Sequence, residues 1–121
     1  MKKILIADDH PDIRRLLSIT LGGEYQIFEA SDGVSALQAL REHRPDALVL
    51  DIMMPGALDG LQVLDRVKAD PDLKSTLVAM VTARGQAADY RAGQEHGADA
   101  YFIKPFSPLQ VVAWVRSKRL G

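Results

Sequence analysis

Several short apolar runs in this chain each end on a residue able to do chemistry. Ile4-Leu5-Ile6-Ala7 runs into Asp8-Asp9, and Ala47-Leu48-Val49-Leu50 runs into Asp51. Leu77-Val78-Ala79-Met80-Val81 closes on Thr82, and the run from Ala100 to Ile103 closes on Lys104 before Pro105. Brought to one place, these ends would supply three carboxylates, a hydroxyl and an ammonium. Clustered carboxylates repel, and their pKa values rise unless a cation joins them. An oxygen-only donor set suits a hard divalent ion, and partly hydrated, octahedral Mg²⁺ is the natural choice. Lys104 is then the remaining fixed positive charge, and it needs an anionic partner. Taken singly, each aspartate also has a plain use at a strand–helix junction. Only their joint occurrence points to a site.

Positioning them requires strands that alternate with helices. Tyr25 to Phe28 reads as a further short strand. Ile13, Leu16, Leu17 and Leu21 recur at helical spacing, and Gly22-Gly23 stops that helix. Val34, Leu37 and Leu40 mark a second helix after Asp32-Gly33, running to about His43. Leu61, Leu64 and Val67 mark a third, broken by Asp70-Pro71-Asp72. A weakly amphipathic stretch from about Gln86 to His96 predicts a fourth, ending at Gly97. The last helix has an explicit start: Ser107 as cap, Pro108 at the first helical position, and Gln110 where a capping box needs it.

Strands apolar on both sides, alternating with helices, predict an α/β fold: a doubly wound five-stranded parallel sheet with helices on both faces. Right-handed crossovers in so short a chain give the flavodoxin-like order 2-1-3-4-5. Such sheets bind ligands beyond the carboxyl ends of the strands, where the strand order switches, here between strands 1 and 3.

Composition bounds the function. The chain has 121 residues, 47% of them hydrophobic and 26% charged, which suits one globular domain and excludes disorder, collagen and coiled coil. Such a length buries roughly two-thirds of the unfolded surface. Fifteen basic against sixteen acidic residues give a formal charge of −1, so no global positive field would hold nucleic acid, and no direct nucleic-acid binding is expected. There is no cysteine, which excludes disulfides and thiolate chemistry. There is no asparagine, and hence no N-glycosylation acceptor. The basic start Met1-Lys2-Lys3 is followed by an apolar run too short for a signal peptide, and no run is long enough to span a membrane. The expected compartment is the cytoplasm.

The strand-end motifs, together with Val81-Thr82-Ala83, Asp51-Ile52-Met53-Met54-Pro55 and Gly97 through Phe106, resemble the receiver domains of two-component response regulators over essentially the whole length. The resemblance implies a single receiver domain over residues 1–121. It implies that Asp51 accepts a phosphoryl group, that Asp8 and Asp9 hold Mg²⁺ with Asp51, and that the backbone carbonyl of Met53 is a further ligand. Thr82 and Lys104 would hold the phosphoryl group, and Tyr101 would be the aromatic that turns inward as Thr82 moves. The Lys104-Pro105 bond is expected to be cis, aiming the lysine at the site.

The implied function is a phosphorylation-operated signalling switch. Its expected partners are a sensor histidine kinase or phosphotransfer protein, and a downstream protein target or its own output domain. A homodimer could form through the surface made by the fourth helix, the fifth strand and the last helix. Nothing after the last helix reads as an output domain, so both a stand-alone regulator and a receiver from a longer chain are open. It is not an enzyme beyond catalysing its own phosphorylation and dephosphorylation. One rival is a Mg²⁺-dependent aspartyl-phosphate phosphohydrolase, which would carry a second Asp where Met53 stands. A flavin module is the other, and Asp8-Asp9-His10-Pro11 would repel its phosphate.

Gly56-Ala57-Leu58 lengthens the loop after Pro55 by one residue relative to the usual family pattern, so a bulge beside the site is expected. Met53 and Arg84 are expected to flank the attack path. His10 reads as a helix-start residue at the rim, and His43 and His96 as surface residues near helix ends. Asp32 and Asp59 read as helix caps. Arg116, Lys118 and Arg119 read as a solvated basic terminus. Val112 and Val115 are the candidates for burial in the last helix. Trp114 is offset from them, which leaves two placements open: outward beside Tyr101 as a partner anchor, or laterally against the fourth helix.

Overall fold

The computed structural model describes residues 2–83, 91 and 96–118. In chain order they form β1 (Lys3–Ala7), α1 (Pro11–Leu21), β2 (Gln26–Ala30), α2 (Gly33–His43), β3 (Ala47–Asp51), α3 (Gly60–Ala69), β4 (Leu77–Ala83), β5 (Ala100–Lys104) and the last helix, α4 (Pro108–Ser117). All neighbouring strands pair in parallel, in the order β2-β1-β3-β4-β5. The expected doubly wound sheet is therefore present. The predicted helix over Gln86 to His96 and the expected role of Arg84 lie outside the described residues.

Period-two alternation sends successive strand residues to opposite faces. Leu5, Leu48, Leu50 and Met80 pack with Leu40, Val63 and Leu64 beneath α2 and α3. Ile4, Ile6, Val49 and Val81 pack on the other face with Leu17, Leu21, Val111 and Val115 of α1 and α4. The central strand β3 is buried along its whole length. Each fully buried Leu or Val stabilises the fold by roughly 1.5–3 kcal/mol. Not every residue in the apolar spacing is inside, since Leu16 and Val34 are exposed.

The predicted caps at Asp32 and Asp59 are present. Each carboxylate accepts the backbone N–H three residues on, from Ser35 at 2.7 Å and from Gln62 at 2.9 Å, in reciprocal capping boxes. At α4 the pattern differs. Ser107 Oγ accepts the N–H of Leu109 at 3.3 Å, while the N–H of Gln110 goes to the Ser107 carbonyl. The second strand begins one residue later than its apolar run, because the N–H of Tyr25 bonds back to the Leu21 carbonyl. That strand then continues to Ala30, which pairs with Ala7. Cross-strand pairing, not hydrophobicity, sets its end.

Of the two placements left open for Trp114, the one against the predicted fourth helix lies outside the described residues. The Trp114 indole meets Phe102 edge-on, with centroids 6.4 Å apart, within the α1–α4 side of the core. Tyr101 packs on the opposite side, with the α2–α3 core. Alternation along β5 separates the two rings. Among the described residues no helix is long and apolar enough to cross a membrane.

Candidate functional site

Strand register brings the sequence-predicted residues together. Ala7 pairs with Leu50, so the next residues up, Asp8 and Asp51, stand level on adjacent strands. Asp51 pairs with Val81, which places Thr82 one step further along β4. Ala83 pairs with Lys104 at the end of β5. The Lys104-Pro105 bond is cis. Asp8, Asp51 and Thr82 are all buried at this edge, with Thr82 only 2% exposed. The site lies at the switch in strand order between β1 and β3, as the topology requires.

Lys104 Nζ has found the anionic partners its charge demanded. It lies 3.1 Å from Asp8 Oδ2 and 3.2 Å from Asp51 Oδ2. Asp51 Oδ1 accepts the backbone N–H of Met53 at 3.1 Å. Burial first, and then the charge of Asp8, push the Asp51 carboxyl up to about 7, against the opposing pull of the Met53 N–H and Lys104. A carboxylate kept near neutrality by crowding is one that a divalent cation would relieve. Donor atoms of Asp8, Asp9, His10 and Asp51 all lie within 4.8 Å of one another. Asp9 Oδ1 is buried and accepts no hydrogen bond from the described residues. An orphaned carboxylate oxygen beside two other carboxylates fits a hard cation such as Mg²⁺.

Local packing holds Asp51 in place. The N-terminus of α3 presses on it so closely that a Cβ on Gly60 would sit 2.2 Å from the Asp51 carbonyl and 2.6 Å from Ile52 Cα. Gly60 also donates its N–H to the Ile52 carbonyl at 3.0 Å. Only glycine permits this approach. The lengthened loop lines a cleft of about 600 Å³ with Asp9, Met53, Gly56, Asp59 and Gln62 among its walls. Gly56 takes a left-handed φ of 98° there. Leu58 folds inward, half-buried against the α2–α3 core and lying over Gly33. Where a bulge was expected, the loop borders this cleft beside the site, with Met53 on its wall, 62% exposed.

Sequence reasoning placed His10 at the rim and missed what its ring does. The backbone N–H of His10 bonds Asp8 Oδ1 at 2.9 Å, which turns the side chain over the carboxylates. Its Nδ1 lies 3.1 Å from both Asp8 Oδ1 and Asp9 Oδ1, and 3.2 Å from Lys104 Nζ. The available signal was Pro11 at the helix start, which makes His10 the extended residue before α1. Arg14 also reaches the site, donating to the Asp8 carbonyl at 2.6 Å. The other singled-out residues are structural. His43 stacks on Phe28, His96 pairs with Asp65, and Arg116 pairs with Glu24 rather than standing free in solvent. Arg119 lies outside the described residues.

A doubly wound sheet whose switch point carries an acidic, lysine-countered pocket defines the class: a signalling domain of the response-regulator type. The family model of the response regulator receiver domain matches residues 4–116, and the chain belongs to that family. It is a phosphorylation-operated signalling switch. It is 40% identical over 118 residues to the DNA-binding response regulator MtrA of Mycolicibacterium smegmatis, covering 97% of this chain and 50% of that protein. It is 42% identical over 117 residues to the Guillardia theta protein named probable transcriptional regulator ycf27, covering 96% and 44%. The solved chemotaxis response regulator CheY4 of Vibrio cholerae superposes with a TM-score of 0.87 at 29% identity, covering 97% of this chain and 98% of that one.

The chain spans about half the length of the first two relatives. One of them is named DNA-binding, and this overturns the exclusion of nucleic acid drawn from net charge. A formal charge of −1 describes 121 residues only, and it says nothing of the remaining half of proteins built like these relatives.

Proposed function

We propose that Asp51 is the phosphoacceptor of this receiver and that Asp8, Asp9, Asp51 and the Met53 carbonyl hold Mg²⁺ beside it. The observation that carries this reading is Asp51 itself. It is a buried carboxylate raised to about 7, flanked by Asp8 on one side and by Lys104 at 3.2 Å on the other. An Asp51 oxygen attacks the phosphorus of the donor. The new O–P bond forms as the donor's P–N or P–O bond breaks, and the leaving group departs with that electron pair. Phosphoryl transfer needs positioning and charge neutralisation more than covalent help. Bound Mg²⁺ would supply neutralisation, and Lys104 supplies more from the protein itself. Thr82 and Lys104 then hold the phosphoryl oxygens, and Tyr101 follows Thr82. In dephosphorylation, water attacks the same phosphorus and Asp51 leaves as the carboxylate. The chain catalyses only these two steps.

The phosphoryl group adds roughly two negative charges at the end of the sheet, enough to bias a two-state surface. Residues 1–121 act as one receiver domain. By its likeness to MtrA, a DNA-binding response regulator of about twice this length, it serves as the receiver half of a longer DNA-binding regulator, operating in the cytoplasm, where Mg²⁺ and phosphodonors are available. No observation favours a phosphohydrolase, and Met53 occupies the position its second Asp would need.

The test is incubation with acetyl phosphate and Mg²⁺, followed by intact mass measurement. Wild type gains one phosphoryl group, and Asp51→Asn gains none. Equal labelling of both proteins overturns the assignment.

A further inference from the structure

We infer that His10 is a fourth side-chain donor to the cation site and biases it toward a borderline divalent metal over Mg²⁺. The inference rests on the reading of Asp8, Asp9 and Asp51 as that site.

His10 Nδ1 faces three groups at once: Asp8 Oδ1 at 3.1 Å, Asp9 Oδ1 at 3.1 Å and Lys104 Nζ at 3.2 Å. These contacts cannot all be hydrogen bonds. If Nδ1 carries the proton, it serves Asp8 Oδ1 alone, leaves Asp9 Oδ1 without a donor and meets the ammonium as a second donor. If Nδ1 is bare, it accepts from Lys104 but turns its lone pair on two anionic oxygens. A cation shared by His10, Asp8 and Asp9 would take up the nitrogen lone pair and relieve the two oxygens, provided that Lys104 Nζ turns to Asp51 Oδ2, which it already meets at 3.2 Å. The spacing agrees. Adjacent donors of an octahedron with bonds of about 2.1 Å are about 3.0 Å apart, close to the 3.1 Å that separates Nδ1 from each carboxylate oxygen.

The ring is free to make the adjustment, because its side chain is 59% exposed. Its local geometry already aims it inward, since His10 forms no side-chain cap to α1 and its N–H is tied to Asp8 Oδ1. Asp9 Oδ1 has no hydrogen-bond donor of its own among the described residues, which leaves it available to the same ion.

Imidazole changes the selectivity of the site. Mg²⁺ prefers oxygen and keeps its waters, so a nitrogen ligand adds little to its binding. Co²⁺, Ni²⁺ and Zn²⁺ take imidazole well. His10 therefore raises affinity for those ions while leaving Mg²⁺ nearly unaffected.

Calorimetric titration of the 121-residue chain with Co²⁺ and with Mg²⁺, in wild type, His10→Ala and Asp9→Ala, tests this. His10→Ala is expected to weaken Co²⁺ about tenfold and Mg²⁺ by less than about twofold. In proton NMR, Co²⁺-loaded wild type should show a hyperfine-shifted, solvent-exchangeable imidazole N–H that is lost in His10→Ala. Equal changes for both metals in His10→Ala, or no shifted N–H in wild type, overturn the inference. Asp9→Ala should weaken both metals. If it weakens neither, the cation site itself is misplaced and the inference falls with it, a failure distinct from that of His10 alone.

Discussion

Replacing Asp51 by Asn removes one charge from a crowded carboxylate cluster while nearly keeping its shape. In the cation-free protein, burial and the charge of Asp8 push Asp51 from its ordinary 3.8 up to about 7. Between those values the folded protein keeps a proton that the unfolded chain has released. The native state is therefore favoured at the acidic end, and stability falls as pH rises from about 4 to about 7. A shift of roughly three units sets a ceiling of about 4 kcal/mol at 1.36 kcal/mol per unit. Relaxation around the ion reduces this to an expected 1–3 kcal/mol, roughly.

Asp51→Asn carries no such charge at any pH, and Lys104 keeps Asp8 Oδ2 at 3.1 Å. In EDTA at pH 8 the variant should be more stable than wild type by about 1–3 kcal/mol, or about 3–10 °C in Tm. At pH 5 the margin should nearly vanish, because Asp51 is already protonated there. Mg²⁺ should narrow the gap at pH 8 by stabilising wild type more than the variant. Urea unfolding at both pH values measures this directly. A variant no more stable than wild type at pH 8, or a margin identical at pH 5 and pH 8, would refute the account of a crowded, raised carboxyl.

Three other perturbations probe separate parts of the argument. Mg²⁺ should raise the Tm of wild type, and Asp9→Ala should lose most of that rise. Equal stabilisation of both proteins would count against Asp9 as a ligand. Gly60→Ala places a methyl 2.2 Å from a backbone carbonyl that cannot move aside cheaply. It should cost about 2–3 kcal/mol in urea unfolding and slow phosphorylation by displacing Asp51, whereas an unchanged midpoint would show that α3 can shift freely. Trp114 should barely change its emission with Mg²⁺, since it packs with Phe102 on the α1–α4 side. Beryllofluoride, a stable phosphoryl mimic, should change it more by moving β5, and Thr82→Ala should abolish that response. A large Mg²⁺-only change would show that the indole senses something else.

Most of the fold follows from patterns within about ten residues of one another. Apolar runs closing on Asp8, Asp51, Thr82 and Lys104 mark strand ends, and Asp32, Asp59 and Pro108 mark helix starts. These are local signals, and the helix and strand periods make them readable. Parallel pairing with short crossovers then leaves few orders for the strands, which is why the edge carrying the site could be named before any coordinates.

The sequence by itself therefore determined the sheet, its ligand edge and the residue types gathered there. Tertiary structure decided which way side chains turn once elements meet. Trp114 lies partly buried against the core, beside Phe102, because α4 crosses that face of β5, a fact about distant segments rather than about helical spacing. His10 joins the carboxylates because its own N–H is tied to Asp8, and Lys104 reaches Asp8 and Asp51 from β5, past the end of β4, because parallel register brings these strand ends level. The raised Asp51 is likewise tertiary, since desolvation and a neighbouring charge exist only when the strands have paired. Periodicity is a property of one segment, whereas burial, distance and charge are properties of pairs of segments, and those are set only when the chain has folded.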